Sequence, residues 1–146
     1  MTLAAAQVID ALVARITGAS TAMGARFYSD HPHPFDVSEL PAGRAELAEE
    51  PAEAVMLSGS VHQHSGRVTV SLDVRATDDI DATLHALVAA VLAALFAAPI
   101  PYALEISGEI TRTPVREGQA DLMRAVIPLR ALYFVAASAP ETILSS

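Results

Sequence analysis

Hydrophobic and polar positions alternate with period two along residues 67–74, R-V-T-V-S-L-D-V. Val68, Val70, Leu72 and Val74 fall on one face and Thr69, Ser71 and Asp73 on the other, as in a half-buried strand. Residues 104–111 alternate again, with Leu104, Ile106 and Ile110 opposed to Glu105, Ser107, Glu109 and Thr111, and a polar turn leads into an apolar strand over 122–135. Between the first two stretches, Asp78, Asp79 and Asp81 open a helix with no Asp, Glu, Lys or Arg from Ala82 to Leu104. The order strand, helix, strand, strand predicts a compact α+β domain whose last two strands form a long C-terminal β-hairpin.

The N-terminal half adds a second helix. Thr2 is placed to cap it, Ile9, Leu12, Val13 and Ile16 lie on one stripe that should pack on a sheet, and Gly18 is a natural stop. A short strand is expected at 26–29. Residues 30–41 contain three prolines, at 32, 34 and 41, and read as an irregular excursion. Residues 44–53 carry Glu46, Glu49, Glu50 and Glu53 and read as a strand ending in a loop at Pro51. The apolar run 55–61 predicts a strand that His62–Gly66 turns back into the 67–74 strand. Together these give a mainly antiparallel or mixed sheet with two helices packed on it, one domain over 1–139 and a tail over 140–146.

A chain of 146 residues is long enough to bury one core without staples. Cysteine is absent, which excludes disulfides and thiolate chemistry. The formal net charge of -8 argues against nucleic-acid binding, which depends on neutralising phosphates with basic side chains. All nine basic residues are arginine, a bias of coding before chemistry. The uncharged run 82–104 is long enough to raise a membrane span, but Pro99 and Pro101 break it and its side chains are small, so a buried helix is expected. Residues 1–6 lack a basic start and Asp10 and Arg15 interrupt the next apolar run, so no signal peptide is expected and a cytoplasmic origin is.

Two histidine pairs, His31 with His33 and His62 with His64, invite a metal, because residues two apart in an extended segment point the same way; Asp30 and Asp36 could complete a site. Both pairs fall in expected loops, however, and nothing in the spacing brings those loops together, so neither metal nor cofactor is expected. Ser58, Ser60 and Ser65 lack a strand-to-helix nucleophile elbow, the glycines form no phosphate loop, and the acidic pairs Glu49–Glu50 and Asp78–Asp79 are adjacent and diverge. No catalytic constellation results, and an enzyme is not expected.

The uncharged helix has a sharper reading. Ile80, Leu84, Leu87, Val88, Val91, Leu92, Leu95 and Phe96 form a broad apolar stripe, and alanines occupy most of the remainder. A helix without a polar face is normally covered all round, so Ala86, Ala90, Ala93 and Ala97 are candidates for contact with a neighbouring subunit, against the alternative that alanine is simply tolerated in water. In the hairpin, a register pairing Thr113 with Leu122 sets Glu105 opposite Arg130, and Pro128, which has no N–H, is expected at an edge or a bulge.

The R-F-Y segment at 26–28, the L-P-A at 40–42, the strand R-V-T-V-S-L-D-V running into A-T-D-D-I-D, and the terminal L-E-I-S-G-E-I-T-R-T, polar turn and A-V-I-P-L-R-A-L-Y-F-V follow one another in an order that resembles the tail terminator proteins of long-tailed bacteriophages and of gene transfer agents. The chain departs from that pattern after Leu40-Pro41, where A-G-R-A-E-L-A-E-E stands in place of an apolar strand. The resemblance implies a structural virion protein, assembled in the host cytoplasm and held at the head-proximal end of the tail. It would form a ring, usually six-fold, that caps the tail tube, ends its polymerisation and receives the head connector, with DNA passing the ring without specific binding. Partner contacts are then expected from three loops: 30–41 with His31, His33 and Phe35; 59–66 with His62 and His64; and 114–121 with Arg116 and Glu117. Alternatives are another tail-completion or neck protein, a metal-binding module or metal-dependent enzyme built on the four histidines, and an oligomeric adaptor outside any virus.

Overall fold

Two strands much longer than the rest organise the chain. In a computed structural model, which describes residues 3–18, 23–24, 26–29, 40–49, 53–54, 61–75, 80–97, 103–117, 120–136 and 139–143, β4 (Val61–Arg75) and β7 (Ala120–Ala136) pair antiparallel from Val61↔Ala136 to Arg75↔Leu122. On the far side of β4 lie β2 (Ala42–Glu49) and the two-residue β3 (Glu53–Ala54), both antiparallel to it, and β1 (Phe27–Ser29) adds the one parallel pair among these strands by joining β2. Along the other edge of β7 run β6 (Thr111–Glu117), β5 (Ala103–Ile106) and β8 (Ala139–Ile143). The fold is α+β, an eight-stranded mixed sheet with helices α1 (Leu3–Thr17) and α2 (Ile80–Phe96).

Alternation decides which face the helices cover. Val68, Val70, Leu72 and Val74 of β4 and Ala125, Ile127, Leu129, Ala131, Tyr133 and Val135 of β7 point to one side, and all are buried. Val8, Ile9, Leu12 and Ile16 of α1 and Leu84, Leu87, Val91 and Leu95 of α2 close over them, with Met23 and Phe27 filling the α1 end. Burial of a side chain of this size stabilises by about 1.5–3 kcal/mol, so this single layer supplies the main favourable term. Helix α1 ends as its sequence predicts, the Gly18 N–H donating to the Ala14 carbonyl at 2.9 Å and the Thr17 hydroxyl to the Val13 carbonyl at 2.9 Å.

Among the described residues, the opposite sheet face contains one buried charge. Asp73, expected on a wet face, has no exposed surface: its Oδ1 accepts from Arg124 Nε at 2.7 Å, and its Oδ2 from Arg124 Nη2 at 3.1 Å and Arg44 Nη2 at 3.5 Å. The register brings these together, since Arg124 stands directly opposite Asp73 on β7 while Arg44 on β2 is opposite Ser71, one step along the same face. A two-pronged guanidinium is what allows a carboxylate to be taken out of water here.

Pro128 explains how the C-terminal hairpin departs from its expected register. The Glu105↔Arg130 pairing is present, but Thr113 pairs with Arg124 and not with Leu122, because the expected continuous strand 104–111 is broken. Between Ile106↔Leu129 and Thr111↔Val126, four residues (107–110) oppose two (127 and 128). The Pro128 carbonyl accepts from Ser107 N–H at 2.9 Å, which directs the backbone edge of Pro128 toward this bulge, where its missing N–H leaves no ladder bond unmade.

Three further expectations are corrected. His62–Gly66 form no turn; they are the first part of β4, because β7 continues opposite them from Val135 to Ala131 and satisfies their backbone groups. The supposed loop 114–121 is mostly strand: Arg116 and Glu117 belong to β6, pair with Asp121 and Ala120, and leave only 118–119 between β6 and β7. The supposed tail over 140–146 includes most of β8, which takes up the edge of β7 beyond β5. Thr2, Asp78, Asp79, residues 30–39 with His31, His33 and Phe35, and residues 55–60 lie outside the described residues.

Three substitutions test this account. Asp73→Ala strands two guanidiniums that are 22% and 14% exposed and should cost about 2–3 kcal/mol, less than a wholly buried pair, whereas Asp81→Ala, at an exposed ion pair, should cost under about 1 kcal/mol. Gly43→Ala sets a methyl 2.8 Å from Phe27 Cδ2 and 2.9 Å from Leu72 Cδ2 and should cost about 1–3 kcal/mol. Urea unfolding midpoints of the three variants check both statements.

Candidate functional site

Helix α2 buries only part of its apolar surface. Leu84, Leu87, Val91, Ala94 and Leu95 face the sheet, whereas Asp81, Ala82, Thr83, His85, Ala86, Ala89, Ala93, Phe96 and Ala97 are exposed and Val88, Ala90 and Leu92 are half-buried. Of the four alanines expected at a subunit contact, Ala86, Ala93 and Ala97 thus lie on the outward face and Ala90 at its margin. Beyond Asp81 this face has no Asp, Glu or Arg, and Phe96 is 48% exposed at its end. A second cover is left to something outside the described residues or to water.

Beside this face runs a groove of about 430 Å³, lined by Leu84, His85, Val88, Ala89 and Leu92 of α2 and by Ile110 and Arg112 across from them. The bulge opposite Pro128 positions the far wall, because it ends β5 and restarts the chain at β6 with Ile110 and Arg112 beside α2. An ion pair, Arg112 Nη1 to Asp81 Oδ1 at 2.6 Å, ties β6 to the first turn of α2. The floor is aliphatic, and an imidazole and a guanidinium stand in the lining. Such a groove can receive an apolar side chain or helix and offers polar anchors beside it.

The wet face of the sheet has a smaller recess of about 300 Å³, lined by Gln63, Ala103, Leu104, Glu105, Arg130 and Leu132. Arg67 and Arg130 are directly opposite each other on β4 and β7, and Glu105 flanks Arg130 on β5. Phe134, on this face, is 38% exposed. The recess lining has one carboxylate and one guanidinium but no imidazole, thiol or hydroxyl.

The remaining sequence candidates separate. His62 and His64 sit on β4 on the helix-covered side, half-buried, with His64 stacked on Tyr133 at a ring separation of 5.4 Å. Arg116 and Glu117 are at the opposite end of β7, beside residues 118–119. No group of three or more His, Cys, Asp or Glu converges among the described residues, and no helix among them is long and apolar enough to cross a membrane. Sequence reasoning missed Ile110 and Arg112 as neighbours of α2. The alternation marked Ile110 as apolar, but the partnership of Arg112 with Asp81, far apart in sequence, had no local signal.

No family model matches the chain, and no match was found among curated proteins.

The two sides of α2 can be told apart by neighbouring substitutions. Ala93→Glu, on the exposed side, should leave unfolding free energy within about 0.5 kcal/mol of the parent. Ala94→Glu places a carboxylate at a position only 7% exposed and should cost several kcal/mol or prevent folding. Circular dichroism during urea titration of the two variants measures both.

Proposed function

We propose that this chain is a ring-forming structural protein of a virion, a tail terminator that caps a tail tube and receives the head connector. The observation that carries the reading is the outward face of α2, where Ala86, Ala93, Ala97 and Phe96 are exposed and no charged side chain follows Asp81. A face of this kind loses little on being covered by another subunit, since few polar groups need desolvation. The groove beside it supplies a different surface, and contact between unlike surfaces repeated around an axis closes a ring. The order of elements resembling tail terminators supports the same assignment, with the host cytoplasm as the place of assembly and the head-proximal end of the tail as the destination.

In this reading no reaction is catalysed and no cofactor is held. The partners are further copies of the chain, the tail tube protein and the connector, with residues 30–41 and the β6–β7 connection as candidate contacts to the latter two. DNA passes through a ring whose subunits have a net charge of -8 without being held by it.

Electron microscopy of the purified chain mixed with tail tubes tests the proposal. Rings are expected at one end of tubes of uniform length, and Ala93→Glu, although folded, should abolish both the rings and the length control. Tubes of unchanged length distribution in the presence of wild-type protein would overturn the assignment. Rings formed equally well by Ala93→Glu would remove α2 from the interface.

A further inference from the structure

We propose that His62 and His64 form a binding site for one divalent transition-metal ion of the Zn2+ type. The two residues lie two apart on β4, so their side chains leave the same face of the sheet. The strand beneath them is held on both sides: His62 is opposite Val135 of β7 and Ala54 of β3, and His64 is opposite Tyr133. Their ring centroids are 6.5 Å apart at an interplanar angle of 39°. The His64 ring lies nearly parallel to that of Tyr133, 5.4 Å away and 14° inclined, and Tyr133 is itself only 1% exposed, so one of the two imidazoles is oriented by the core.

The ring nitrogens are the atoms at issue. Both histidines are half-buried, and among the described residues no side-chain hydrogen bond or ion pair engages either imidazole. Two nitrogens on one tetrahedral ion stand about 3.3 Å apart, given Zn–N bonds of about 2.0–2.1 Å. The 6.5 Å separation is between ring centres and not between nitrogens, so the proposed ion requires His62 to turn until one nitrogen of each ring reaches that spacing. Neutral imidazole suits Zn2+, Ni2+ and Cu2+ and not the oxygen-seeking Ca2+ or Mg2+. With two protein ligands, the other coordination positions are filled by water. The expectation that the pair held no metal rested on its being in a loop and on the lack of a second loop brought to it; β4 removes the first ground, and no third His, Cys, Asp or Glu joins the pair among the described residues. The inference is independent of the ring assignment.

Calorimetric titration of the tag-free full chain with ZnCl2 tests it. One saturable site per chain is expected, weakened at least tenfold by His62→Gln and likewise by His64→Phe, which keeps an aromatic ring against Tyr133 and removes only the nitrogens. His85→Gln, on α2, should bind as the parent does. Circular dichroism confirms that each variant is folded before titration, and His64→Gln replaces His64→Phe if the latter is not. Absence of saturable binding by the parent, or parental affinity in a folded variant at either His62 or His64, would overturn the site.

Discussion

The ladder between β4 and β7 is the constraint on which the rest of the molecule depends. It engages all fifteen residues of β4, and its alternation sets every inward side chain of the two strands at once. A slip of one residue would turn Val68, Val70, Leu72 and Val74 outward and place Asp73 among aliphatic side chains, so hydrophobic burial and charge burial enforce the same register. The Asp73–Arg124 pair adds specificity to that enforcement. It joins residues directly opposite each other, and neighbouring registers would separate a carboxylate from its two-pronged partner. Ion pairs of this sort often contribute little net stability, yet breaking one is costly, which makes them better at excluding wrong pairings than at strengthening the right one.

What the sequence disclosed follows from where a residue's neighbours lie. The inner face of β4, the stripe Ile9, Leu12 and Ile16, and the sheet-facing positions of α2 were legible because period two and period 3.6 are properties of the local chain. Asp73 was misplaced because alternation assigns a face but not its exposure; only Arg124 and Arg44, from two other strands, make that position dry. His62–Gly66 were misread as a turn for a related reason. Polar and glycine-containing segments signal turns when nothing pairs with them, and here β7 pairs with them throughout. The terminal strand β8 was missed because it depends on an edge of β7 that becomes open only where β5 stops.

Pro128 shows how one residue can shape a surface at a distance. Its lost N–H suits a gap in the ladder, the gap admits four residues where two would continue it, and Ile110 and Arg112 then come to stand beside α2. Gly108 lies close enough that an added Cβ would be 3.3 Å from Pro128 Cγ, so the bulge is packed on the proline ring itself. The groove beside α2 is therefore a consequence of strand chemistry on the neighbouring edge as much as of the helix. This coupling was partly readable: the proline announced an irregularity at its own position, but not which residues of the partner strand would be displaced.

The charge distribution bears on how copies of an acidic chain can meet. With 17 acidic and 9 basic side chains, two copies repel at long range, and contact is easiest where no acidic group must be brought close or stripped of water. The outward face of α2 meets that condition after Asp81, and Asp81 itself is engaged by Arg112 across the groove. At physiological ionic strength the screening length is about 8 Å, so acids farther than that from the contact oppose it weakly. A ring built through this face would therefore be limited less by charge than by shape. Alanine permits close approach without holding a unique position, and the protruding Phe96 together with the groove walls would have to set the angle between subunits. The number of subunits in such a ring is then a property of those few larger side chains and not of the alanine surface that brings them together.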